Sequence, residues 1–257
     1  MHYQLSLQFH FDLGMQLYSV TDGQDLCDTI FQIVNQINHG VPNLVQEQER
    51  EDIAELNFKA GSRAMDFSDY EMAHSYLSTA LSLLPPNHWS IHYEMSLRMY
   101  FVAANTAYTS GNNKKAFELL KSILGNGRCI EDKLDAYYLY AMMHHAREQS
   151  DEGYDTCVNV LQQFGETFPT TITLHELHGM MTDTGKTLAQ MSNADIQNVK
   201  SMDNSSSFRY YIKFFSLLVS KDHTLCTSTC YYICILTKWA LLARADRYVH
   251  HTIDHHR

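Results

Sequence analysis

Apolar residues recur every three or four positions along most of the chain, most clearly from Asp52 to Pro85. The first half of this segment carries Leu56, Phe58, Ala60, Gly61 and Ala64. The second half repeats the pattern at Tyr70, Ala73, Leu77, Ala80, Leu81 and Leu84. A polar break at 66–69 separates the halves, and prolines at 85 and 86 stop the second. The spacing predicts two helices folded back on each other as an antiparallel hairpin.

Short side chains on this hairpin allow its two helices to approach closely. Gly61 and Ala64 on the first helix would face Ala73 and Ala80 on the second. With Leu77 and Pro85, this spacing follows that of a tetratricopeptide-type repeat. The match is partial on the first helix, where Asn57 and Ala64 stand in place of a bulky aromatic residue and a tyrosine. An ordinary antiparallel helical hairpin is the alternative.

Similar segments lie on both sides of this hairpin. The alternating pattern at the start of residues 1–20 fits a strand, but Phe9, Leu13 and Leu17 favour a helix. A second helix would begin at Asp22 or Asp25 and end at Gly40 in a left-handed cap. Its apolar stripe comprises Leu26, Ile30, Ile33, Val34 and Ile37. We interpret the acidic run at 46–52 as the solvated first turn of the next helix.

Two further hairpins are predicted after the prolines. One has helices at 88–109 and 114–124 with a turn at 110–113, and the other has helices at 134–146 and 154–161 with a turn at 149–152. Ala73 and Ala116 are 43 residues apart, whereas Ala116 and Gly153 are 37 apart, so the repeat is not strict. Each hairpin has an apolar face that it cannot bury alone, and stacking of neighbours would bury it. The predicted fold is therefore all-α, a tetratricopeptide-like α-solenoid of stacked antiparallel helical hairpins.

The remaining chain is less regular. A helix is expected around Leu174 to Met181, followed by a polar loop at 193–207, apolar helices at 208–219 and 231–245, and a His-rich tail at 248–257. This organisation predicts a helical segment over 1–48, repeats over 49–170, and further helices with the loop and tail over 171–257.

Composition excludes several classes of partner. The chain has 257 residues, of which 45% are hydrophobic and 19% charged, and its net charge of −10 opposes binding to a nucleic-acid backbone. No stretch of 18 uninterrupted apolar residues occurs, so no membrane segment is expected. No lysine or arginine precedes Arg50, which argues against a secretory signal. Six scattered cysteines without a C-x-x-C pair indicate a reducing compartment, hence a cytoplasmic protein.

Several longer segments together resemble the helical-repeat region of large signalling proteins from bacteria and some algae. They are LNFKAGSRAM at 56–65, HWSIHYEMSL at 88–97, AYTSGN at 107–112, EDKLDAYY at 131–138 and VNVLQQFGETFP at 158–169. In that family, this region lies between a serine/threonine kinase with a predicted AAA-type ATPase and a sensor histidine kinase. VNQINHG at 34–40 resembles the linker that follows the ATPase, and HFDLGMQLY at 10–18 resembles the end of the ATPase module. The resemblance spans about residues 25–170 and implies a detached repeat module. No nucleotide-binding or phosphotransfer motif is present, so no functional residue transfers.

Two segments around residue 180 weakly resemble chemical motifs. The segment from Gly179 to Thr187 resembles a phosphate loop, but it has five residues between its glycines instead of four, which favours a helix–helix turn. His175 and His178 could share a helix face and hold a metal, although Glu176 is then misplaced as a base. Of the adjacent His144 and His145, one would be buried and hydrogen-bonded.

The C-terminal part carries two further metal hypotheses. Cys226, Cys230 and Cys234 share one predicted helix face, where such cysteines more often pack as small hydrophobic residues. The histidines of the tail could bind nickel or zinc weakly. No catalytic serine, cysteine or carboxylate motif occurs. We therefore assign no catalytic, cofactor-binding or metal-binding residue.

The predicted function is a non-catalytic module of a signalling protein that binds a protein or peptide partner or couples domains. A groove lined by tyrosines would contribute, although core packing is the more common role for each. These residues are Tyr100, Tyr108, Tyr137, Tyr138 and Tyr140. The alternatives are a nucleotide-binding regulatory fragment of an ATPase or histidine kinase, and an incomplete gene model.

Overall fold

The computed structural model describes residues 2–21, 23–44, 47–146, 150–165, 173–190 and 206–221. The regular secondary structure in these ranges is helical, with turns and short irregular segments between the helices, and no strand occurs in them. The chain divides into two compact units, Met1–Ala136 and Tyr137–Arg257. The predicted helix at 231–245, the cysteine face and the histidine tail lie outside the described residues.

The first unit begins with two long helices, α1 (His2–Val20) and α2 (Gly23–Leu44), which pack against each other. The prediction of a helix over residues 1–20 is confirmed. The predicted end of the second helix at Gly40 is wrong, because α2 continues through Gly40 and Pro42 to Leu44. A glycine inside a helix costs only about 1 kcal/mol, which packing of the long helix can offset. Asp22, one of the two predicted caps, is outside the described residues.

The hairpin predicted at Asp52–Pro85 is confirmed as two packed helices, α3 (Glu47–Asp66) and α4 (Tyr70–Leu83). Asp69 caps α4 by accepting a hydrogen bond from the Met72 backbone N–H at 3.0 Å. A Cβ atom at Gly61 would lie 2.7 Å from Leu77 Cγ, so only glycine allows this approach. Ala64, Ala73 and Ala80 are fully buried, as the small-residue pattern predicts.

The segment predicted as one helix over 88–109 contains a break. It forms the short α5 (His88–Ile91) and then α6 (Tyr93–Thr109), separated by His92 with φ −123° and ψ 48°. The apolar pattern continues across the break, so it could not reveal it. The returning helix is α7 (Asn113–Asn126), and it packs on α6 after a turn in which Gly111 has φ 81°. Asn112 caps α7.

Neighbouring helices of the first unit are also in contact between hairpins. α2 packs on α3, and α4 packs on α6. A pair of side-chain amides joins α2 to α3, because Asn38 and Asn57 donate to each other at 2.8 and 3.0 Å. Asn57 is fully buried and also donates to the Ile53 carbonyl oxygen. A buried amide with satisfied hydrogen bonds fixes the register of these helices.

The boundary between the units falls within α8 (Ile130–Ala146), which is followed by α9 (Ser150–Gln163), α10 (Leu174–Ala189) and α11 (Ser206–Lys221). The turn predicted at 149–152 is misplaced, because Asp151 and Glu152 form the first turn of α9. Likewise, residues 206 and 207, predicted as the end of a loop, begin α11. In the second unit α11 packs on α9. Burial raises the pKa of the Cys157 thiol on α9 to about 12.

In the part of the chain that the structure describes, no helix combines the length and apolarity needed to cross a bilayer.

Candidate interaction surface

Helices α3 and α6 lie side by side, and charged side chains bridge them on the exposed side. Glu55 pairs with Arg98 at 3.1 Å, and Glu51 lies 3.0 Å from His92 Nδ1. The Arg98 guanidinium also lies 5.1 Å from the centre of the Phe58 ring. These contacts keep the two helices in register with a polar outer surface, although each exposed ion pair contributes less than about 1 kcal/mol.

Helical spacing defines the residues that share this surface. On α3, Glu55, Phe58 and Ser62 lie along one face; on α6, Arg98, Phe101, Asn105 and Tyr108 do so. We call this set the α3–α6 face. It combines both signs of charge, amide and hydroxyl groups and half-buried aromatic rings. This is the chemistry with which protein surfaces bind peptide main chains and side chains.

Two of the predicted tyrosines belong to the first unit, and their surroundings differ. Tyr108 is half-buried on the α3–α6 face. Tyr100 packs away from it in an aromatic cluster, with its ring stacked on His88 at 5.4 Å and tilted against Trp89 at 5.0 Å. Burial raises the Tyr100 pKa.

The other three predicted tyrosines, all half-buried, belong to the second unit. Tyr138 meets the Phe214 ring edge-on at 5.9 Å, and Lys213 Nζ lies 5.0 Å from the Tyr138 ring centre. The Tyr140 ring lies 4.6 Å from His144. Tyr137 is on the same helix. The five tyrosines thus divide between two units, two in the first and three in the second.

A polar groove between α2 and α4 has no counterpart in the sequence analysis. It has a volume of about 640 Å³. Its lining residues are Asn35, Asn38, His39, Asp69, Glu71, Met72, Ser75, Tyr76 and Thr79. The Tyr76 hydroxyl donates to Asn35 Oδ1 at 2.8 Å. Its polar residues lie on two helices that are far apart in sequence, so no local pattern could reveal the groove.

The Glu55–Arg98 pair was also missed, although the sequence carries a signal for it. The two residues are 43 positions apart, the interval that also separates Ala73 from Ala116. Equivalent positions in consecutive hairpins lie side by side when the hairpins stack, so opposite charges there would be expected to meet.

The structure corrects the interpretation of the segment from Gly179 to Thr187. It lies wholly within α10, so it forms neither a phosphate loop nor the predicted helix–helix turn. Inside a helix the backbone N–H groups bond to carbonyl groups one turn earlier and cannot converge on a phosphate.

The histidine hypotheses have mixed outcomes. His175 and His178 are exposed, and Glu176 accepts hydrogen bonds from the Thr173 N–H and hydroxyl. Among the residues that the structure describes, no three His, Cys, Asp or Glu side chains are grouped as a metal site requires. His144 is buried, as predicted for one member of its pair, and its Nδ1 lies 3.1 Å from a Glu152 carboxylate oxygen.

A comparison with curated proteins gives one partial similarity. A stretch of 104 residues is 29% identical to hybrid signal transduction histidine kinase G of Dictyostelium discoideum. The match covers 37% of this chain and 3% of that kinase. No protein-family model matches the chain, and no solved structure does. The similarity agrees with the histidine-kinase part of the resemblance and points to a helical protein related to signalling.

Proposed function

We propose that the chain is a non-catalytic, tetratricopeptide-like interaction module of a signalling protein, which binds a protein or peptide partner on the α3–α6 face. The observation that carries this proposal is a repeated packing arrangement. Small residues twelve positions apart lie on the two helices of three hairpins: Gly61 with Ala73, Ala104 with Ala116, and Ala141 with Gly153. A Cβ atom at Gly61 would lie 3.3 Å from the Ala73 carbonyl oxygen, and one at Gly153 would lie 3.1 Å from that of Ala141.

Repetition of one close-packed hairpin is typical of repeat proteins, whose stacked hairpins present extended binding surfaces. In the first unit, successive hairpins do contact each other. The partial similarity to a histidine kinase supports a place in signal transduction. We extend the proposal to a reducing, cytoplasmic location, because the six cysteines are scattered along the sequence and include no C-x-x-C pair.

Site-specific photocrosslinking would test the binding surface. A photoreactive phenylalanine at Tyr108 should crosslink one defined protein from a native extract, whereas the same residue at Tyr70, half-buried on α4, should not. The captured protein would then be purified and its affinity measured by calorimetry.

The variants Tyr108→Ala and Arg98→Ala should weaken that affinity about tenfold while leaving the melting temperature nearly unchanged. Tyr70→Ala is the control for binding. Unchanged affinity in both face variants would contradict the proposed surface. If Tyr108→Ala unfolds the protein, the tyrosine belongs to the core, and Arg98→Ala alone then decides the question.

A further inference from the structure

The groove between α2 and α4 lies on helices other than those of the α3–α6 face. At its floor, Tyr76 is 4% exposed and joins the two helices. The Tyr76 ring stacks on Phe31 with ring centres 5.9 Å apart, and its hydroxyl donates to Asn35. Above this floor the lining residues Asn35, His39 and Ser75 are exposed. Contacts between the helices therefore hold the groove in shape, and its walls are accessible to a partner.

All the Asp, Glu, Lys and Arg residues of these two helices are acidic. Asp25 and Asp28 lie in α2 and Glu71 lies in α4, and neither helix contains a lysine or an arginine. Asp69, the cap of α4, adds a fourth carboxylate and lines the groove together with Glu71. The groove therefore carries negative charge that neither bordering helix neutralises, which favours a cationic occupant.

The carboxylates of Asp69 and Glu71 are placed to attract such a cation. Both residues are exposed, and neither has a basic partner in the part of the chain that the structure describes. Asp69 uses Oδ1 to cap α4. Burial raises the pKa of Tyr76, and the charge of Asp69 adds to this rise. The field of Asp69 thus reaches the floor of the groove.

Apolar surface beside the carboxylates suits the stem of a lysine or arginine side chain. Met72 in the groove is 39% exposed, and Phe67, which tilts against Phe31, is 63% exposed. The chain itself contains one contact of this kind, since the Arg63 guanidinium lies 4.8 Å from the Phe67 ring centre and 3.9 Å from Asp66. Basic side chains lay their aliphatic stems along apolar or aromatic groups while their charged ends meet carboxylates.

The length and polar groups of the groove favour an extended peptide over a single ion. From Asp69 to Thr79, α4 rises by about 15 Å, which matches about four to five extended residues. The lining residues Asn35, Ser75 and Thr79 carry amide and hydroxyl groups of the kind that bond to a peptide main chain. We propose that the groove between α2 and α4 binds a basic, extended segment of a partner protein, whose lysine or arginine side chains meet Asp69 and Glu71.

Fluorescence anisotropy tests this proposal with the full chain and a labelled hexa-arginine peptide at pH 7.5, where histidines are largely neutral. The wild type should bind the peptide saturably and should not bind a labelled hexa-glutamate peptide. The double variant Asp69→Asn with Glu71→Gln should raise the dissociation constant about tenfold or more. Asparagine still caps a helix, so this variant should keep its fold, which circular dichroism checks.

Glu94→Gln with Asp155→Asn is the matched control, because it removes two exposed carboxylates on α6 and α9 and changes the net charge equally. It should change the dissociation constant less than about twofold. Equal weakening by the two double variants would mean that the peptide responds only to net charge, and it would overturn the proposal, as would a wild type that does not bind. Tyr108→Ala should leave the dissociation constant unchanged, so this test is independent of the α3–α6 face.

Discussion

The two hairpins α3–α4 and α6–α7 share the residues that hold each one together but differ in those that face other elements. Gly61 and Ala104, Ala73 and Ala116, and Leu77 and Leu120 are equivalent pairs, and all are buried. Asn57 and Tyr100 are also equivalent, yet Asn57 pairs with an amide on α2 whereas Tyr100 stacks on His88 of α5. Small and aliphatic side chains therefore hold the two helices of each hairpin together, whereas the residues at variable positions contact the neighbouring helices.

The largest expected effect comes from breaking the shared contact. Gly61→Val should lower the free energy of unfolding by about 3 kcal/mol, because its side chain must displace Leu77 and approach the Ala73 carbonyl oxygen. Urea unfolding followed by circular dichroism measures this change.

Gly125→Ala is the control, because nothing lies within 4 Å of a Cβ atom there. This change should stabilise α7 by about 0.5 kcal/mol. If Gly61→Val costs no more than about 0.5 kcal/mol, the close approach of α3 and α4 is not required for stability.

The second prediction concerns the position at which the two hairpins differ. Asn57→Ala should cost about 2 kcal/mol, since it leaves a cavity and removes the partner of the half-buried Asn38 amide. Asn57→Tyr introduces the residue that the other hairpin has at this position, Tyr100. It should also destabilise the protein, because a tyrosine side chain cannot form the amide pair with Asn38.

A double-mutant cycle in urea with Asn38→Ala isolates the amide pair. We expect the two losses to be non-additive, with the Asn57→Ala effect smaller once Asn38 is absent. Additive losses would mean that the pair does not couple α2 to α3.

The third prediction concerns His88, which has no aromatic equivalent in the α3–α4 hairpin. Burial lowers the His88 pKa below its ordinary value of 6.5, and the charge of His92 adds to this effect. The unfolded chain therefore binds a proton at higher pH than the folded chain does. The contribution of His88 to the free energy of unfolding is therefore fully present above pH 6.5. It decreases as the pH falls through 6.5 toward the folded-state pKa.

Urea unfolding of the wild type and His88→Asn at pH 7.5 and pH 5.5 measures this contribution. We expect the wild type to lose more stability than the variant on acidification. Equal losses would assign the pH dependence to other histidines.

The smallest expected effect on stability comes from the Glu55–Arg98 ion pair. Its two residues occupy equivalent positions in the two hairpins and join α3 to α6. Because Arg98 is 56% exposed, a double-mutant cycle with Glu55→Gln and Arg98→Gln should give a coupling free energy below about 1 kcal/mol. It should decrease as salt is added. A coupling free energy that salt does not change would indicate a desolvated pair instead.

Much of the helical fold could be predicted from spacing alone. The stripe of α2 and the hairpin of α3 and α4 follow from apolar residues three or four positions apart, and the caps at Asp69 and Asn112 follow from local chemistry. Among the boundaries that failed, the break at His92 lies where a long-range contact competes with local preference. His92 pairs with Glu51 from a different helix.

The candidate surface was harder to predict because it depends on which residues come together. The tyrosine pattern did not separate Tyr100, which stacks on His88, from Tyr108, which lies on the α3–α6 face. Both are aromatic residues on one helix, but they are eight positions apart, which places them about 12 Å apart along the helix axis and beside different neighbours.

The sequence by itself determined that this chain forms paired helices, because apolar periodicity and small residues act within one or two turns of a helix. Tertiary structure alone decided what each face meets. On α3, Leu56 and Ala64 flank the closely packed Gly61 and are buried, as Met99 and Ala107 are around Ala104 on α6. On α1, Phe9 and Leu17 lie at the same distances from Gly14 but remain exposed. The same pattern of side chains can belong to a core or to a surface, because burial depends on whether a neighbouring helix is present to cover it.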